Sequence, residues 1–159
     1  MKIAVASDHR GVSCRARILD IIQGLGFEGV DYGANGEESV DYPDYASKVA
    51  EAVSSAAADR GILVCGTGIG MSIVANKFDG VRAAPIHDDI TAALSRQHND
   101  LNVLCLSADL ISDQGLERIV STWLKTEFEG GRHARRLEKV AKIEAERHDE
   151  PVAQEDPVS

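Results

Sequence analysis

The feature that most constrains this sequence is its alternation of two kinds of segment. Short apolar runs with β-branched residues, typical of buried strands, are separated by longer stretches in which apolar residues recur at helical spacing. This alternation indicates βαβ units around a parallel sheet whose strands are covered on both faces. The predicted strands are 2–7, 27–32, 61–65, 81–87 and 102–107. We therefore predict an α/β fold with a five-stranded parallel sheet.

Helices are predicted in the intervals between the strands. They span 13–23, 43–58, 88–98 and 112–128, with a further helical stretch at 73–77 and a last helix over 132–148. Ser112 is a predicted N-cap, because its hydroxyl can accept a hydrogen bond from the first turn of its helix. A chain of 159 residues has the size of one domain, which we place at 1–148. Residues 149–159 form an acidic tail without apolar periodicity, which predicts disorder.

Charge and cysteine content narrow the classes of function. The 17 lysines and arginines are outnumbered by 26 acidic residues, so a net charge of −9 disfavours binding to nucleic acid or to anionic membranes. No apolar run is long enough to span a bilayer and no signal-peptide pattern opens the chain, so a cytoplasmic location is expected. Cys14, Cys65 and Cys105 lack C-x-x-C spacing, which predicts reduced thiols rather than disulfides or a zinc site.

Polar residues follow the first and third predicted strands, where open α/β sheets bind their ligands. Asp8 and His9 follow the first strand as either a capped turn or a pair that binds hydroxyls and handles protons. Cys65 leads into the glycine-rich loop 66–70, whose backbone amides are predicted to be uncovered and to form an anion-binding nest. Cys65 is then either a small core residue or a reactive thiolate beside those amides.

This glycine-rich loop does not match either of the best-known nucleotide motifs. Met71 stands where the dinucleotide fingerprint requires its last glycine, and no Gly-Lys-Ser/Thr sequence follows as in a P-loop.

Two more clusters carry candidate chemistry. His98 and Asn99 end a predicted helix, where the imidazole either interacts with the helix dipole or, if it faces the other loops, transfers protons. Arg132 and Arg136 lie one helical turn apart and could together grip a phosphate. The alternative for the two arginines is a surface ion pair with Glu129 or Glu138.

Taken together, these segments resemble the ribose-5-phosphate isomerase type B family, which includes the galactose-6-phosphate isomerase subunits. The resemblance covers about residues 1–148 and depends on five segments in order, at 8–11, 41–46, 65–77, 95–100 and 130–133. It implies a Rossmann-like three-layer α/β fold with a C-terminal helix. It also implies aldose–ketose isomerisation of a sugar phosphate in the pentose phosphate pathway, without metal or nucleotide. The family forms homodimers or dimers of dimers whose active sites are built from both subunits.

The resemblance also implies a role for individual residues. Cys65 matches the base that moves a proton between C1 and C2, Thr67 matches an assisting hydroxyl, and His98 matches the group that opens the sugar ring. The remaining matches are enediolate-binding loop positions (Gly66, Gly68, Ile69, Gly70), sugar-binding positions (Asp8, Asn99) and phosphate ligands (His9, Arg132, Arg136).

The chain departs from the family pattern at Asp109, where type B enzymes usually have a phosphate-binding arginine. Asp109 is hypothesised to pair with Arg10, which is itself an unusual residue at its position. Ribose 5-phosphate is the expected substrate. The alternatives are a six-carbon aldose 6-phosphate such as allose or galactose 6-phosphate, a non-catalytic sugar-phosphate-binding protein, and a redox protein that uses Cys65.

Overall fold

A five-stranded parallel sheet organises the structure, a computed structural model that describes residues 1–36 and 38–149. The strands, in chain order, are β1 (Lys2–Ser7), β2 (Glu28–Asp31), β3 (Arg60–Cys65), β4 (Ala83–Pro85) and β5 (Val103–Ser107). Their order in the sheet is β2-β1-β3-β5-β4, and every pairing is parallel. The predicted sheet is thus confirmed. The edge strand β4 is shorter than predicted and ends at Pro85, a residue that sheets tolerate at an edge.

Six helices accompany the sheet within the described residues. They are α1 (Val12–Gly24), α2 (Tyr42–Ser54), α3 (Ile69–Ala75), α4 (Asp89–Asn99), α5 (Asp113–Lys125) and α6 (Arg132–Asp149), and a single 3-10 turn (His9–Gly11) precedes α1.

Three helix boundaries differ from the predictions for local reasons. The helix α2 stops four residues early, because Ala56 adopts a left-handed backbone with φ of 60° and no glycine or proline marks the stop. The helix α3 starts at Ile69 rather than at 73, directly after Gly68. The helix α5 ends at Lys125, where Thr126 turns to an extended conformation and its hydroxyl donates to the carbonyl of Thr122.

The three central strands β1, β3 and β5 are buried on both faces, which explains their largely apolar sequences, whereas the edge strands β2 and β4 are partly exposed. All six residues of β3 are buried, and neighbouring residues face different layers. Ile62 belongs to a core cluster with apolar residues of α1 and α5, whereas Leu63 belongs to a second cluster with residues of α2 and α3. The fold is therefore a three-layer α/β sandwich, as predicted.

The chain divides into two compact units. The first, Met1–Glu129, contains the sheet and α1–α5, and the second begins at Gly130 and contains α6. The single domain over 1–148 stays a prediction, and the predicted tail lies outside the described residues from position 150 onward. In the described part of the chain, no helix has the length and apolar character needed to cross a membrane.

Candidate active site

The carboxyl ends of the central strands bring the first candidate residues together. Strands β1 and β3 pair with Ser7 opposite Val64, so Asp8 and Cys65 come next at the same edge of the sheet. The Asp8 amide donates to the Val64 carbonyl at 3.1 Å. The chain continues from β1 to β2 on one side of the sheet and from β3 to β4 on the other, so the carboxyl ends of β1 and β3 form a topological switch point, where α/β proteins bind ligands.

Asp8 and His9 are both held by backbone amides. The Asp8 side chain is buried and accepts from the Arg10 amide at 2.9 Å, so it caps the 3-10 turn that follows β1. The predicted capping role is therefore present. His9 Nδ1 accepts from the Val40 amide at 3.2 Å. A neutral imidazole that accepts at Nδ1 carries its proton on Nε2, which makes His9 a hydrogen-bond donor on its other side.

Cys65 ends β3 with its sulfur facing the glycine-rich loop. The residue is 6% exposed, and its Sγ accepts a hydrogen bond from the Gly68 amide at 3.1 Å. An amide donor directed at sulfur stabilises the thiolate, which is the reactive form of cysteine. This contact favours the catalytic interpretation of Cys65 over a purely packed thiol.

The other two cysteines have the structural surroundings that the sequence predicts. Cys105 is fully buried in β5, and burial strongly raises the pKa of its thiol, with the nearby Cys65 adding to the effect. Burial also raises the pKa of Cys14, on α1, to about 11. Both residues therefore stay protonated near neutral pH.

Two glycines of the loop pack closely against other residues, and at Gly68 the neighbour is backbone. Gly68 has φ of 78°, and a Cβ there would lie 3.1 Å from the backbone carbonyl group of Leu106 in β5. A Cβ on Gly70 would lie 2.7 Å from the ring of Tyr42, which is 39% exposed. Tyr42 is not among the predicted site residues, although it lies in segment 41–46, one of the five that carry the family resemblance.

The loop uses two of its amides internally. Thr67 is exposed, and its hydroxyl accepts from the Ile69 amide at 3.3 Å, while the Gly68 amide points at Cys65. The prediction of uncovered amides is therefore wrong for these two groups as they stand in this structure. The amides of Gly70 and Met71 belong to the first turn of α3, where a helix supplies no acceptor of its own.

Arg10 and Asp109 form the ion pair that the sequence suggests. Arg10 Nη2 lies 2.6 Å from Asp109 Oδ2, and both side chains are about half exposed. The pair lies over Gly66, since a Cβ there would come within 3.1 Å of both side chains. The hydrogen bond to Asp109 and the charge of that carboxylate raise the pKa of Arg10, and smaller contributions come from Asp8 and Cys65. Arg10 thus shares an electrostatic environment with the candidate base.

His98 and Asn99 lie at the amino ends of the strands, the end of the sheet opposite to Cys65. They end α4, and β5 begins only four residues later at Val103, so they adjoin the amino ends of the strands. Arg82, the residue before β4, confirms this position because its Nε donates to the Asn99 carbonyl at 3.0 Å. The arrangement in which His98 faces the loop of Cys65 is therefore not formed within one protomer.

Arg132 and Arg136 occupy the first turns of α6 in the second unit. Both are exposed, and their spacing of one helical turn places them on a common face of that helix. Their role in phosphate binding stays a prediction.

The fold and these residues define a class of protein. It is a three-layer α/β protein with a candidate small-molecule site at a switch point, where an acid, a cysteine and a glycine-rich loop meet.

Comparison with known proteins identifies the family. The family model for ribose/galactose isomerases matches residues 3–140. A putative sugar phosphate isomerase of Bacillus subtilis, YwlF, is 50% identical over 145 residues, which cover 91% of this chain and 97% of the relative. The chain belongs to the ribose/galactose isomerase family, which confirms the resemblance found in the sequence.

Solved structures agree with this assignment. Ribose-5-phosphate isomerase B of Clostridium thermocellum superposes with a TM-score of 0.90 at 49% identity, covering 92% of this chain and 99% of that one. The enzyme of Mycoplasma genitalium, solved with bound ribulose-5-phosphate, has a TM-score of 0.88 at 44% identity, covering 91% and 97% of the two chains.

Proposed function

We propose that this chain is an aldose–ketose isomerase that interconverts ribose 5-phosphate and ribulose 5-phosphate. The observation that carries the proposal is the hydrogen bond from the Gly68 amide to Cys65 Sγ, at the edge where Asp8 and the glycine-rich loop meet. Relatives named ribose-5-phosphate isomerase B, one of them solved with ribulose-5-phosphate, support the choice of substrate.

Cys65 acts as the base in the proposed reaction. Its thiolate takes the proton from C2 of the open-chain aldose, so that the C2–H bond breaks, an S–H bond forms and a cis-enediolate results. The proton of the C2 hydroxyl then passes to the C1 oxygen, and the thiol returns its proton to C1 as C2 becomes a carbonyl, which gives the ketose and regenerates the thiolate. Proton transfer by a positioned group contributes about 10²- to 10⁴-fold to a rate.

The loop stabilises the negative charge that develops on the sugar oxygens. The Gly70 amide, in the first turn of α3, and the exposed Thr67 hydroxyl supply the donors, each worth about 3 kcal/mol of the barrier in comparable oxyanion sites. Asp8, whose carboxylate is held by the Arg10 amide, accepts from a sugar hydroxyl. His9 donates from Nε2 to the substrate phosphate, because its Nδ1 is occupied.

Ring opening requires a second copy of the chain in this proposal. His98 opens the furanose ring and Asn99 binds the sugar, but both lie at the edge of the sheet away from Cys65. A homodimer, alone or as a dimer of dimers, would bring these two residues, with Arg132 and Arg136 as phosphate ligands, to the partner's Cys65 loop. The expected cytoplasmic location stays a prediction.

A six-carbon aldose 6-phosphate is the second candidate substrate. The family description names galactose as well as ribose, and an isomerase distinguishes the two by the length of its pocket. An isomerisation assay with ribose, allose and galactose phosphates distinguishes the two candidates by kcat/KM.

The test of the mechanism is Cys65→Ala. We expect this variant to fold like the wild type and to lose at least about 10³-fold in kcat, since the base is gone. Cys14→Ala removes a thiol outside the site and serves as the matched control, with activity close to that of the wild type. A Cys65→Ala variant with wild-type kcat would contradict the proposed mechanism.

A further inference from the structure

Arg10 carries an exposed guanidinium near Cys65, at the carboxyl ends of the central strands. Arg15, which also follows β1, is buried and bound to Ser7, Ala34 and Asp31. The Arg10 side chain, in contrast, is 56% exposed, and among residues 1–36 and 38–149 its guanidinium donates to Asp109. A guanidinium has five N–H donors, so this bond leaves others that face solvent and can reach a ligand.

Arg10 and His9 border the same cavity. It has a volume of about 520 Å³ and is lined by His9, Arg10, Asp109 and residues from the first turns of α1, including Val12 and Ser13. Two of its lining side chains, Arg10 and Asp109, lie over Gly66, the first residue of the loop that follows Cys65. The cavity thus combines an imidazole donor with a guanidinium, two groups that recognise anions, beside that loop.

Asp109 holds this guanidinium in place. Its own backbone amide donates to the Gly66 carbonyl at 3.2 Å, and its carboxylate accepts from Arg10 Nη2 at 2.6 Å. Exposed ion pairs contribute little to stability, so this pair matters mainly for where it places Arg10. Gly66 has no Cβ, which leaves room for the pair above the loop.

We propose that Arg10 is a phosphate ligand of this isomerase and that Asp109 is the positioning residue for it. The inference rests on the proposed function, which supplies a sugar phosphate as substrate. Arg10 contacts the phosphate with the donors that Asp109 leaves open, and His9 donates from Nε2 beside it. Asp109 does not contact the phosphate. Its negative charge opposes the anion, and the fixed orientation of Arg10 outweighs that opposition.

Arg10→Gln tests the ligand. We expect KM for ribose 5-phosphate and the inhibition constant of inorganic phosphate to rise together by about tenfold or more, with kcat within about threefold, because a binding contact is lost. Arg10→Lys keeps the charge but not the fork geometry, and should give intermediate values. Arg17→Gln is the matched control, since Arg17 pairs with Glu117 away from the site. Unchanged KM and phosphate inhibition in folded Arg10→Gln would overturn the proposal.

Asp109→Asn tests the positioning role. We expect KM to rise severalfold while kcat stays near that of the wild type, because Arg10 loses its fixed orientation. If Asp109 only repelled the phosphate, the same substitution would lower KM, and that result would overturn the role.

Exchange of the two charges, in Arg10→Asp with Asp109→Arg, should recover part of the affinity lost in Arg10→Asp alone. A double variant as weak as the single one would contradict mutual positioning.

The two proposals fail in different ways. If the wild type isomerises ribose 5-phosphate but Arg10→Gln keeps its KM, only the inference about Arg10 fails. If the wild type binds inorganic phosphate in an Arg10-dependent manner but isomerises none of the sugar phosphates, the proposed function fails and the phosphate site stands.

Discussion

At the residue scale, the backbone of Gly68 determines the geometry around the Cys65 sulfur. Gly68 must place its amide 3.1 Å from the sulfur while its Cα passes close to the backbone of Leu106, and it does so at a φ of 78°. An L-residue avoids this conformation, and the space for its Cβ is already occupied. The glycine pattern visible in the sequence therefore reflects both backbone conformation and close packing, and only the structure separates the two causes.

Gly68→Ala should lower both stability and activity. We expect the left-handed conformation alone to cost about 1–2 kcal/mol, with a further penalty from the contact with β5. Gly80→Ala is the matched control, because Gly80 has φ of 71° but nothing lies near the position of its Cβ. Urea denaturation of the two variants isolates the packing penalty. Equal losses of unfolding free energy would show that Leu106 imposes no constraint.

At the scale of elements, helix caps define where several helices begin. The Asp88 carboxylate accepts from the Thr91 amide at 2.7 Å at the start of α4, which holds the pKa of Asp88 below its usual range. Ser112 accepts from the Gly115 amide at 3.2 Å at the start of α5. Trp123, on the buried face of α5, is fully covered, with the guanidinium of Arg60 5.3 Å from its ring centre. The Ser112 cap therefore stabilises a helix whose buried face, including Trp123, belongs to one layer of the core.

Ser112→Ala should destabilise the protein by about 1 kcal/mol, because an N-terminal amide of α5 loses its acceptor. Ser112→Asp should retain most of the wild-type stability, since aspartate is an equally good cap. Ser47→Ala, within α2, is the control and should be neutral or slightly stabilising. Fluorescence of Trp123, the single tryptophan, follows unfolding in denaturant. A loss in Ser47→Ala as large as in Ser112→Ala would contradict the capping explanation.

At the scale of the whole molecule, the sheet separates the proposed catalytic groups. Cys65 lies at the carboxyl ends of the strands, whereas His98 lies at their amino ends, because α4 runs back across the sheet before β5. A site that needs both residues must then be shared between two copies.

Mixing two defective variants tests this sharing. If Cys65→Ala and His98→Asn are unfolded and refolded together, about half of the dimers contain one chain of each, and one of their two sites is intact. We expect about a quarter of the wild-type activity, well above the sum of the separate variants. As a control, Cys65→Ala mixed with a chain carrying both substitutions should stay inactive. Absence of recovery in the first mixture would exclude a shared site.

Much of the fold could be predicted from local patterns. The strands β1, β3 and β5 agree with their predictions within one residue, because each is mostly apolar and is buried apart from Lys2 at the start of β1. The end of α2 could not be predicted, since Ala56 adopts a left-handed backbone without any residue that favours it. The pairing of Arg10 with Asp109 could be suggested from their unusual identities, but not their position above Gly66.

The sequence by itself determined the α/β alternation, the buried faces of the helices and the motifs that identify the family. Each of these depends on residue types and their periodicity within a short stretch of chain, because the burial and hydrogen bonding of one segment constrain its own residues. Only the tertiary structure decided the strand order, and with it that β1, β3 and β5 are neighbours and bring Asp8, Cys65 and Asp109 close together. Strand neighbours come from packing between segments far apart in the chain, so no local pattern encodes them.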